Sequence, residues 1–501
     1  MRTIPKGSQE VQRQVERVLQ LVDRREAARV ADIEQEILDA VTAVARELTT
    51  MFFARQSSLV SAARYEHGGR AYELVGEETV QVGTRFGKVD FPSKIGRAIG
   101  RARAPRDRPV ERQVGLSCGF TPTVIATVSR LCAHMAFGQA RTLFRDLLGW
   151  APSTRAVLRI VDATGAEARP FLESAPPPEN DGEVLVIQVD GKGAPAITSR
   201  EYAKRTKPHT RKRSAGKRRR HERKAKRASQ PKKRRAPGDK SKNAKMAAVG
   251  VLYTLRRGED GKLDGPVNKR VYATFTTYRA LFEWIVEEAK KRGYGTSKFT
   301  KVLFVADGAE VLWTLQQEFF PDALTCLDWF HVVEKLWEVG KAVCRGTRRK
   351  RKELEAWVAK QKARLRAGEI YAILEELAQR LDATPLTGPG NKYRRTVLAK
   401  ITSHLEKNID RLHYDRLRKQ DLDIGSGAVE GAVRHLVGAR LDASGMRWGK
   451  GRAEAVLQLR CVLINGLWND FEAHLVRKVG FRVKGSPARA QTHDAVTKKA
   501  A

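Results

Sequence analysis

Three carboxylates stand at places in the sequence where they could hold a metal ion. Asp190 follows the apolar run VLVIQV, and Asp307 follows the run KVLFVA. Two carboxylates side by side repel each other unless a divalent cation lies between them. A pair of Mg²⁺ ions about 3.5–4 Å apart can activate an attacking oxygen and stabilise a leaving oxygen in phosphoryl transfer. Glu430, one turn into a helix that opens with Gly-Ser-Gly, is the best candidate for a third ligand.

The same residues have a simpler interpretation. Asp-Gly is among the commonest turn dipeptides, so VDG and ADG are also what two ordinary strand ends would show. The metal site is favoured by the combination of two apolar strands that end in Asp-Gly, a Gly-Ser-Gly-x-x-Glu helix and a very basic chain. We therefore predict metal-dependent phosphoryl transfer at these residues.

The surrounding elements are predicted to form an α/β sheet that could bring the carboxylates together. Beyond residue 179 the apolar patterns give the order β-β-β-α-β-α-β. In an α/β sheet, ligands gather outside the carboxyl ends of the strands. If the first and fourth strands are neighbours, Asp190 and Asp307 lie side by side. From His331 to about Gln420 the pattern is helical and charged, which predicts a helical insertion before Glu430.

The charge of the chain points to a polyanionic partner. Its 95 Lys and Arg against 57 Asp and Glu give a formal net charge of +38. Residues 204–245 alone hold 21 Lys and Arg against two acids and no large apolar residue, so we predict a disordered basic loop that binds phosphates without reading sequence. A solvated linker or a targeting patch is the alternative. Nucleic acid is the commonest polyanion, and a membrane surface fits less well because no basic stripe shares a helix with a strongly apolar face.

The N-terminal third is predicted to be mostly helical with a small β-unit. Apolar residues recur at helical spacing over 8–50, and residues 70–100 alternate and contain glycines, as short strands do. Residues 121–165 give three helices, the last two joined by a tight turn. This pair could be a helix-turn-helix whose second helix is 153–165. A helical hairpin with no DNA role has the same pattern.

Composition excludes several classes of protein. At 41% apolar and 30% charged residues, the chain is neither a disordered tail nor a collagen-like fibre. It has no run of eighteen apolar residues, which argues against a transmembrane helix, and its start lacks the apolar segment of a secretion signal. The five cysteines are widely spaced and include no C-x-x-C pair. This argues against a disulfide framework or a structural zinc site and fits a reducing compartment.

Four segments carry a resemblance to a known family: VIQVDGKG, LFVADGAEVLW, CLDWFHVVEKLW and GSGAVEGAVRHLVGARLDASGMRW. They are similar to bacterial insertion-sequence DDE transposases of the Kra group, over roughly residues 120–475. The resemblance implies an α/β fold in which an RNase H-like catalytic core is interrupted by a helical insertion. The mostly helical N-terminal region with a small β-unit, predicted from the residue pattern, precedes this core. The predicted boundaries are 1–105 for the helical and small β region, 106–178 for the possible helix-turn-helix region, 179–331 for the first part of the core with its loop 204–245, 332–422 for the insertion, 423–478 for the final core helices and 479–501 for a basic tail.

The resemblance also implies roles for single residues. Asp190, Asp307 and Glu430 would form the catalytic triad and hold Mg²⁺ or Mn²⁺, with two ions expected. Asp328 and His331 would support the site or steady a DNA strand. From the residues alone, His331 is as well explained as a helix-capping or buried hydrogen-bonding residue, and Trp448 as a core residue. The predicted DNA contacts are Lys217, Arg218, Arg219, Arg220, Lys232, Lys233, Arg234, Arg235, Arg447 and Trp448.

The predicted function is that of a DNA transposase, which binds the ends of its insertion sequence and catalyses metal-dependent strand cleavage and strand transfer. Its expected partners are terminal inverted repeats, target DNA and further copies of the chain, in the bacterial cytoplasm at the nucleoid and not at a membrane. The alternatives are a structure-selective nuclease with the same fold and a non-catalytic DNA-binding regulator. A simple nuclease does not need the long insertion between Asp328 and Glu430, and a regulator need not keep all three carboxylates.

Overall fold

In the computed structural model, the apolar runs of the sequence form strands and its amphipathic stretches form helices. The structure describes residues 6–23, 29–100, 106–197, 203, 244–343, 348–442 and 446–478. They divide into two units, one drawn from Met1–Leu172 with Gly466–Ala501 and the other from Glu173–Asn465. No helix within these ranges is both long and apolar enough to span a bilayer.

The elements follow one another along the chain as predicted in outline. The strands are β1 Arg64–His67, β2 Arg70–Thr84, β3 Gly87–Ala98, β4 Val184–Pro195, β5 Ala244–Arg257, β6 Leu263–Thr274, β7 Lys301–Ala306 and β8 Leu324–Leu327. The α-helices are α1 Lys6–Val22, α2 Val30–Ser58, α3 Pro109–Gln113, α4 Pro122–His134, α5 Phe137–Leu148, α6 Thr154–Ser174, α7 Tyr278–Arg292, α8 Glu310–Phe319, α9 Trp329–Val343, α10 Arg348–Ala367, α11 Ile370–Asp382, α12 Asn391–Lys407, α13 Tyr414–Arg418, α14 Gly427–Val433, α15 Ala439–Leu441, α16 Lys450–Ile464 and α17 Trp468–Arg477. A 3₁₀ turn at Ile409–Arg411 precedes α13, and a π-helical segment at Arg434–Gly438 joins α14 to α15.

In the first unit, a small antiparallel sheet packs against the second helix. The strands lie in the order β1-β2-β3, and β2 and β3 each turn alternate side chains inward. Val82 and Val89 pack in this core with Phe53 of α2, whose ring stacks on Phe91 at 4.9 Å between centroids. The two N-terminal helices cover most of the stretch predicted to be helical, and the sheet occupies the predicted β-unit.

The second helix of the possible helix-turn-helix pair is longer than the sequence pattern indicated. Helix α5 ends at Gly149, whose φ of 73° is the left-handed conformation that glycine adopts readily. Helix α6 begins at Thr154 and continues to Ser174 instead of ending at residue 165. Its side chains at Arg155 and Arg159, one turn apart, are exposed. The assignment of this pair as a helix-turn-helix remains a prediction.

The second unit contains a mixed sheet of five strands. Their order is β6-β5-β4-β7-β8. Strands β5 and β6 run antiparallel to their neighbours, whereas β7 pairs parallel with β4 and β8 parallel with β7. The predicted first and fourth strands of this region, β4 and β7, are therefore direct neighbours. Val184–Val189 of β4 is buried throughout, as expected for a central strand covered on both faces.

Strand β4 extends further than predicted. The sequence suggested a strand that ends at Asp190, but β4 stays paired with β5 as far as Pro195 opposite Ala244. The loop predicted at 204–245 is therefore two residues too long, because Ala244 and Lys245 belong to β5. Residues 204–243 lie outside the described residues, and so do the eight basic side chains of that loop predicted to contact DNA.

Helices α10 to α13 form the predicted helical region between β8 and α14. Glu376 of α11 accepts hydrogen bonds from Trp357 Nε1 at 2.6 Å, Gln361 Nε2 at 3.1 Å and Arg364 Nη1 at 2.7 Å, and it pairs with Arg380 at 3.0 Å. Burial alone would raise the pKa of Glu376, but these hydrogen bonds and the charge of Arg380 outweigh it and lower the pKa to about 2. Glu376 thus joins α10 to α11 as a carboxylate.

Trp448 is a core residue, so the prediction that it stacks on DNA is wrong for this conformation. Only 5% of its surface is exposed, its Nε1 donates to the carbonyl of Leu441 at 2.9 Å, and the Arg440 guanidinium lies 4.8 Å from the ring centroid. Its main chain continues the pairing of β4, since Trp448 N donates to Pro195 O at 3.1 Å and Ile197 N donates to Trp448 O at 2.9 Å. A base has no open ring face to stack on.

Candidate metal centre

Two of the three predicted ligands meet at one edge of the five-stranded sheet. Val189 of β4 pairs with Ala306 of β7 in parallel register, so the next residues, Asp190 and Asp307, lie side by side where this pairing ends. Asp190 itself is still paired with Val249 of β5. Asp190 accepts a hydrogen bond from the N–H of Gly191 at 2.6 Å, and Asp307 accepts one from the N–H of Ala309 at 2.9 Å. The parallel pairing of two buried strands thus fixes both carboxylates at the same edge.

The third member of this group is His331. One donor atom from each of Asp190, Asp307 and His331 can be chosen so that all lie within 4.8 Å of one another, and all three residues are half-buried. Opposite ligands of one small divalent cation are roughly 4 Å apart, so modest side-chain adjustment would let the three share an ion. The structure therefore gives His331 a more direct position than the supporting role predicted for it.

Asp328 fixes the direction of the His331 ring. It is fully buried, and its Oδ2 accepts from His331 N at 3.0 Å and lies 2.5 Å from His331 Nδ1. Because Nδ1 is engaged, Nε2 is the ring nitrogen left for a ligand. The Oδ1 atom of Asp328 accepts from Ser426 N at 2.7 Å, so one carboxylate joins the start of α9 to the start of α14. The supporting role of Asp328 in catalysis stays a prediction.

The electrostatics of the group favour a cation. The pKa of Asp190 is raised, mainly by burial and further by the negative charges of Asp307 and Asp328. The hydrogen bond from the Gly191 N–H and the charge of His331 lower this pKa, but by less. The hydrogen bond with Asp328 is the main cause that raises the pKa of His331 to about 9. Burial would raise the pKa of Asp328, but its hydrogen bonds from His331 and Ser426 outweigh burial and lower it. The carboxylates are thus stabilised by positive charge placed between them.

The donor set suits a divalent metal ion. Carboxylate oxygens are the ligands that Mg²⁺ and Mn²⁺ prefer, and an imidazole nitrogen is common for transition metals. An oxygen-only site was predicted, whereas His331 adds a nitrogen, which fits Mn²⁺ better than Mg²⁺. A buried carboxylate that orients the histidine through its other ring nitrogen is the usual second layer of a metal site, and Asp328 occupies that place.

Glu430 lies beside this group without joining it. The group of three does not include Glu430, whose exposed side chain accepts a hydrogen bond from Ser426 Oγ at 3.2 Å. Its helix, α14, is nevertheless fixed to β4. The fully buried Gln188 accepts from Val429 N at 3.0 Å and donates to Gly425 O at 3.0 Å. Gln188 and Asp190 are two residues apart on one strand, so they share a face of the sheet. The helix that carries Glu430 packs on that face through Val429.

Comparison with known proteins gives little beyond this geometry. No protein-family model matches the chain, and no curated protein matches it. Five chains of solved structures match, among them one described as "Drosophila P element transposase strand transfer complex". That chain is 11% identical, with a TM-score of 0.28, over 70% of this chain and 93% of the other. A similarity of this size supports no conclusion about fold or activity.

Two further polar side chains lie at the site, and no sequence pattern indicated either of them. Tyr278 opens α7 and lies close enough to both aspartates for their charges to affect its hydroxyl. His404, from α12 of the helical region, interacts electrostatically with Asp307 and His331. Neither belongs to a motif, and only the fold brings them to the carboxylates. Of the predicted DNA contacts, Arg447 alone among the described residues is exposed.

Proposed function

We propose that this protein is a DNA transposase of the DDE type, with an RNase H-like catalytic core in residues 179–331 and 423–478. The observation that carries the proposal is the meeting of Asp190, Asp307 and His331 where the pairing of β4 with β7 ends, in a chain of net charge +38. The order and directions of the five strands support the RNase H-like assignment. Many metal-dependent enzymes act on nucleic acid, and the motifs similar to Kra-group transposases favour a transposase among them.

Each residue of the site has a distinct task in this proposal. Asp190 and Asp307 would hold the divalent ion, and His331, oriented by Asp328, would be a further ligand. A bound Mg²⁺ or Mn²⁺ supplies Lewis-acid chemistry, which favours deprotonation of the attacking hydroxyl and offsets charge on the phosphate. The protein groups orient the phosphodiester and exclude competing water from the buried side of the site.

Glu430 is proposed as the third carboxylate of the triad. Its helix is held to β4 through Gln188 and to α9 through Asp328, the same two elements that carry Asp190 and His331. The π-helical segment Arg434–Gly438 follows directly, and such segments are frequent at functional sites. The exposed carboxylate would turn toward the group once a cation is present to attract it.

The proposed chemistry proceeds by two in-line displacements at phosphorus. In the first, water attacks the phosphodiester at the element end; its oxygen bonds to phosphorus, and the 3′ oxygen leaves as a hydroxyl. In the second, that 3′-hydroxyl attacks a target phosphodiester and displaces the target's own 3′ oxygen, so one ester bond forms as another breaks. Neither step requires a covalent protein–DNA intermediate.

DNA binding is proposed to come from separate parts of the chain. Residues 106–178 would recognise the element ends, with Arg155 and Arg159 of α6 exposed for the purpose. The basic residues of 204–243 would hold phosphates without sequence preference. Arg447 is exposed beside the core. Two ends must be held together, so we propose that the active form contains at least two copies of the chain.

The decisive experiment measures strand cleavage of a linear duplex that carries the reading frame with its flanking DNA. Wild type, Asp307→Ala and the matched control Asp322→Ala, an exposed aspartate of the same unit, are compared with Mg²⁺ and with Mn²⁺. The proposal predicts cuts at the element boundaries that disappear only in Asp307→Ala, with DNA affinity unchanged.

The other outcomes separate the alternatives. Cuts without boundary preference would identify a structure-selective nuclease. Binding without any cutting would leave a non-catalytic regulator. Failure to bind DNA at all would overturn the proposal at its first step.

A further inference from the structure

The two glycines that follow the aspartates are places where another side chain enters the site. A Cβ on Gly191 would lie 2.3 Å from Tyr278 Oη, and a Cβ on Gly308 would lie 2.1 Å from His404 Cε1. Neither glycine has a positive φ, so backbone conformation does not require glycine at either position. Each glycine is needed for space, and each admits one polar side chain beside one carboxylate.

The hydroxyl of Tyr278 lies near the two carboxylates as a potential hydrogen-bond donor. Burial is the first cause that raises its pKa to about 12, and the charges of Asp307 and Asp190 add to it. The hydroxyl therefore keeps its proton at neutral pH. No hydrogen-bond partner of Tyr278 Oη is found among the residues that the structure describes. A half-buried hydroxyl without a partner loses hydration that a bound ligand could replace.

His404 presents a second polar group beside Asp307. It lies on α12, within the helical region, and packs against Gly308 next to Asp307. Its interactions with Lys335 and Asp307 are electrostatic, and within the described part of the chain its imidazole nitrogens have no hydrogen-bond partner. The imidazole therefore has hydrogen-bonding capacity left for a ligand held beside Asp307.

We propose that Tyr278 and His404 are substrate-contacting residues, each of which donates a hydrogen bond to a non-bridging oxygen of the phosphodiester held beside Asp190 and Asp307. This inference rests on the proposed function. A phosphate is the fitting acceptor because it is the group that a divalent ion between the two carboxylates would hold, and because its several oxygens can accept from more than one donor. The helical region then completes the active site through His404.

The test uses single-turnover cleavage by the full-length protein on the duplex described above, with Mn²⁺ binding measured by calorimetry on the same samples. Tyr278→Phe removes only the hydroxyl. His404→Leu removes the donor, and His404→Gln keeps an N–H for partial rescue. The matched controls are Tyr294→Phe, a tyrosine just beyond the other end of α7 that packs on Phe320, and His413→Leu in the helical region.

The expected result is a cleavage rate lower by about 10- to 100-fold in Tyr278→Phe and in His404→Leu, as for loss of a hydrogen bond to a charged group. Rates in both controls and the Mn²⁺ affinity of all variants should stay as in wild type. Wild-type cleavage rates in Tyr278→Phe and His404→Leu would overturn the inference and leave the proposed function standing. A loss of Mn²⁺ affinity parallel to the rate would also overturn it, because the residues would then order the ligands. If the wild type cuts no DNA, the proposed function fails, and the inference fails with it.

A second measurement tests the placement of Tyr278 without any activity. Gly191→Ala should lower the melting temperature, because its new Cβ meets Tyr278 Oη. In Gly191→Ala combined with Tyr278→Phe, that oxygen is gone, and the next atoms are those of Met246 at 3.2 Å or more. The double variant should therefore recover most of the loss. Additive losses would show that the hydroxyl does not occupy the space above Gly191.

Discussion

Asp328→Asn is the substitution with the most directly calculable effect. In the wild type, this buried carboxylate accepts from Ser426 N and His331 N and holds His331 Nδ1 at 2.5 Å. Asparagine keeps one oxygen acceptor, which can still serve Ser426, but turns an NH₂ group toward the two donors of His331. Two buried donors then lose their acceptor.

The expected loss follows from the number of hydrogen bonds broken. At about 1–3 kcal/mol for each donor left without an acceptor, the loss of two should lower the free energy of unfolding by about 2–6 kcal/mol. For a unit as large as Glu173–Asn465, each kcal/mol corresponds to roughly 2 °C in the melting temperature. We therefore expect the melting temperature to fall by about 4–12 °C. Because the His331 ring loses its orientation, Mn²⁺ affinity should fall by about 10- to 100-fold.

The two readouts are thermal unfolding by circular dichroism and Mn²⁺ titration by calorimetry. Asp382→Asn, at an exposed position near the end of α11, is the matched control and should change neither. A variant that melts like the wild type and binds Mn²⁺ with the same affinity would refute the reasoning, since Asp328 would then neither join α9 to α14 nor aim His331.

Three further predictions concern other parts of the chain. Glu376→Gln should lower the free energy of unfolding by about 1–3 kcal/mol at pH 7. The fold lowers the pKa of Glu376 to about 2. The stabilisation by this carboxylate is therefore fully present above roughly pH 4.3 and is lost as the pH falls toward 2. Urea unfolding at several pH values should therefore show the difference from wild type shrinking in acid, and a constant difference would contradict it. Trp448→Ala should destabilise by about 3–5 kcal/mol, whereas Arg447→Ala should leave the melting temperature unchanged and weaken DNA binding; equal melting temperatures for both would disprove the core position of Trp448. Replacing residues 204–243 by a short Gly-Ser linker should flatten the dependence of DNA affinity on salt, measured by fluorescence anisotropy on a random duplex; an unchanged slope would mean that the segment does not touch DNA.

The sequence predicted that the two aspartates lie side by side on one condition, namely that their strands are neighbours in the sheet. Asp190 and Asp307 each end an apolar run, and parallel strands bring their carboxyl ends to one edge, so adjacency of β4 and β7 was enough to place them together. The extension of β4 beyond Asp190 was not predictable. Gly191 follows an aspartate as a turn glycine would, whereas its actual reason is the room it leaves for Tyr278 Oη.

The remaining site residues depend on contacts between distant parts of the chain. The spacing of Asp328 and His331 indicates a helix start but cannot show that His331 faces Asp190 across the sheet edge. Glu430 was placed by its motif, yet its side chain is held by Ser426 Oγ in the described conformation. Trp448 could be a core or a surface residue on sequence grounds, and only its burial under Arg440 decides between them.

The long pairing of β4 with β5 holds the two ends of the basic segment close together. Pro195 and Ala244 are opposite each other, so the chain between them begins and ends at one point, roughly 17 Å along the strand from Asp190. Chain length alone keeps every residue between them within roughly 80 Å of that point. If the segment's lysines and arginines hold a stretch of DNA, as proposed, later encounters of that DNA with the carboxylates would be intramolecular, and their frequency would depend on effective concentration instead of on bulk DNA. The segment would then favour reaction at the DNA to which the protein is already bound.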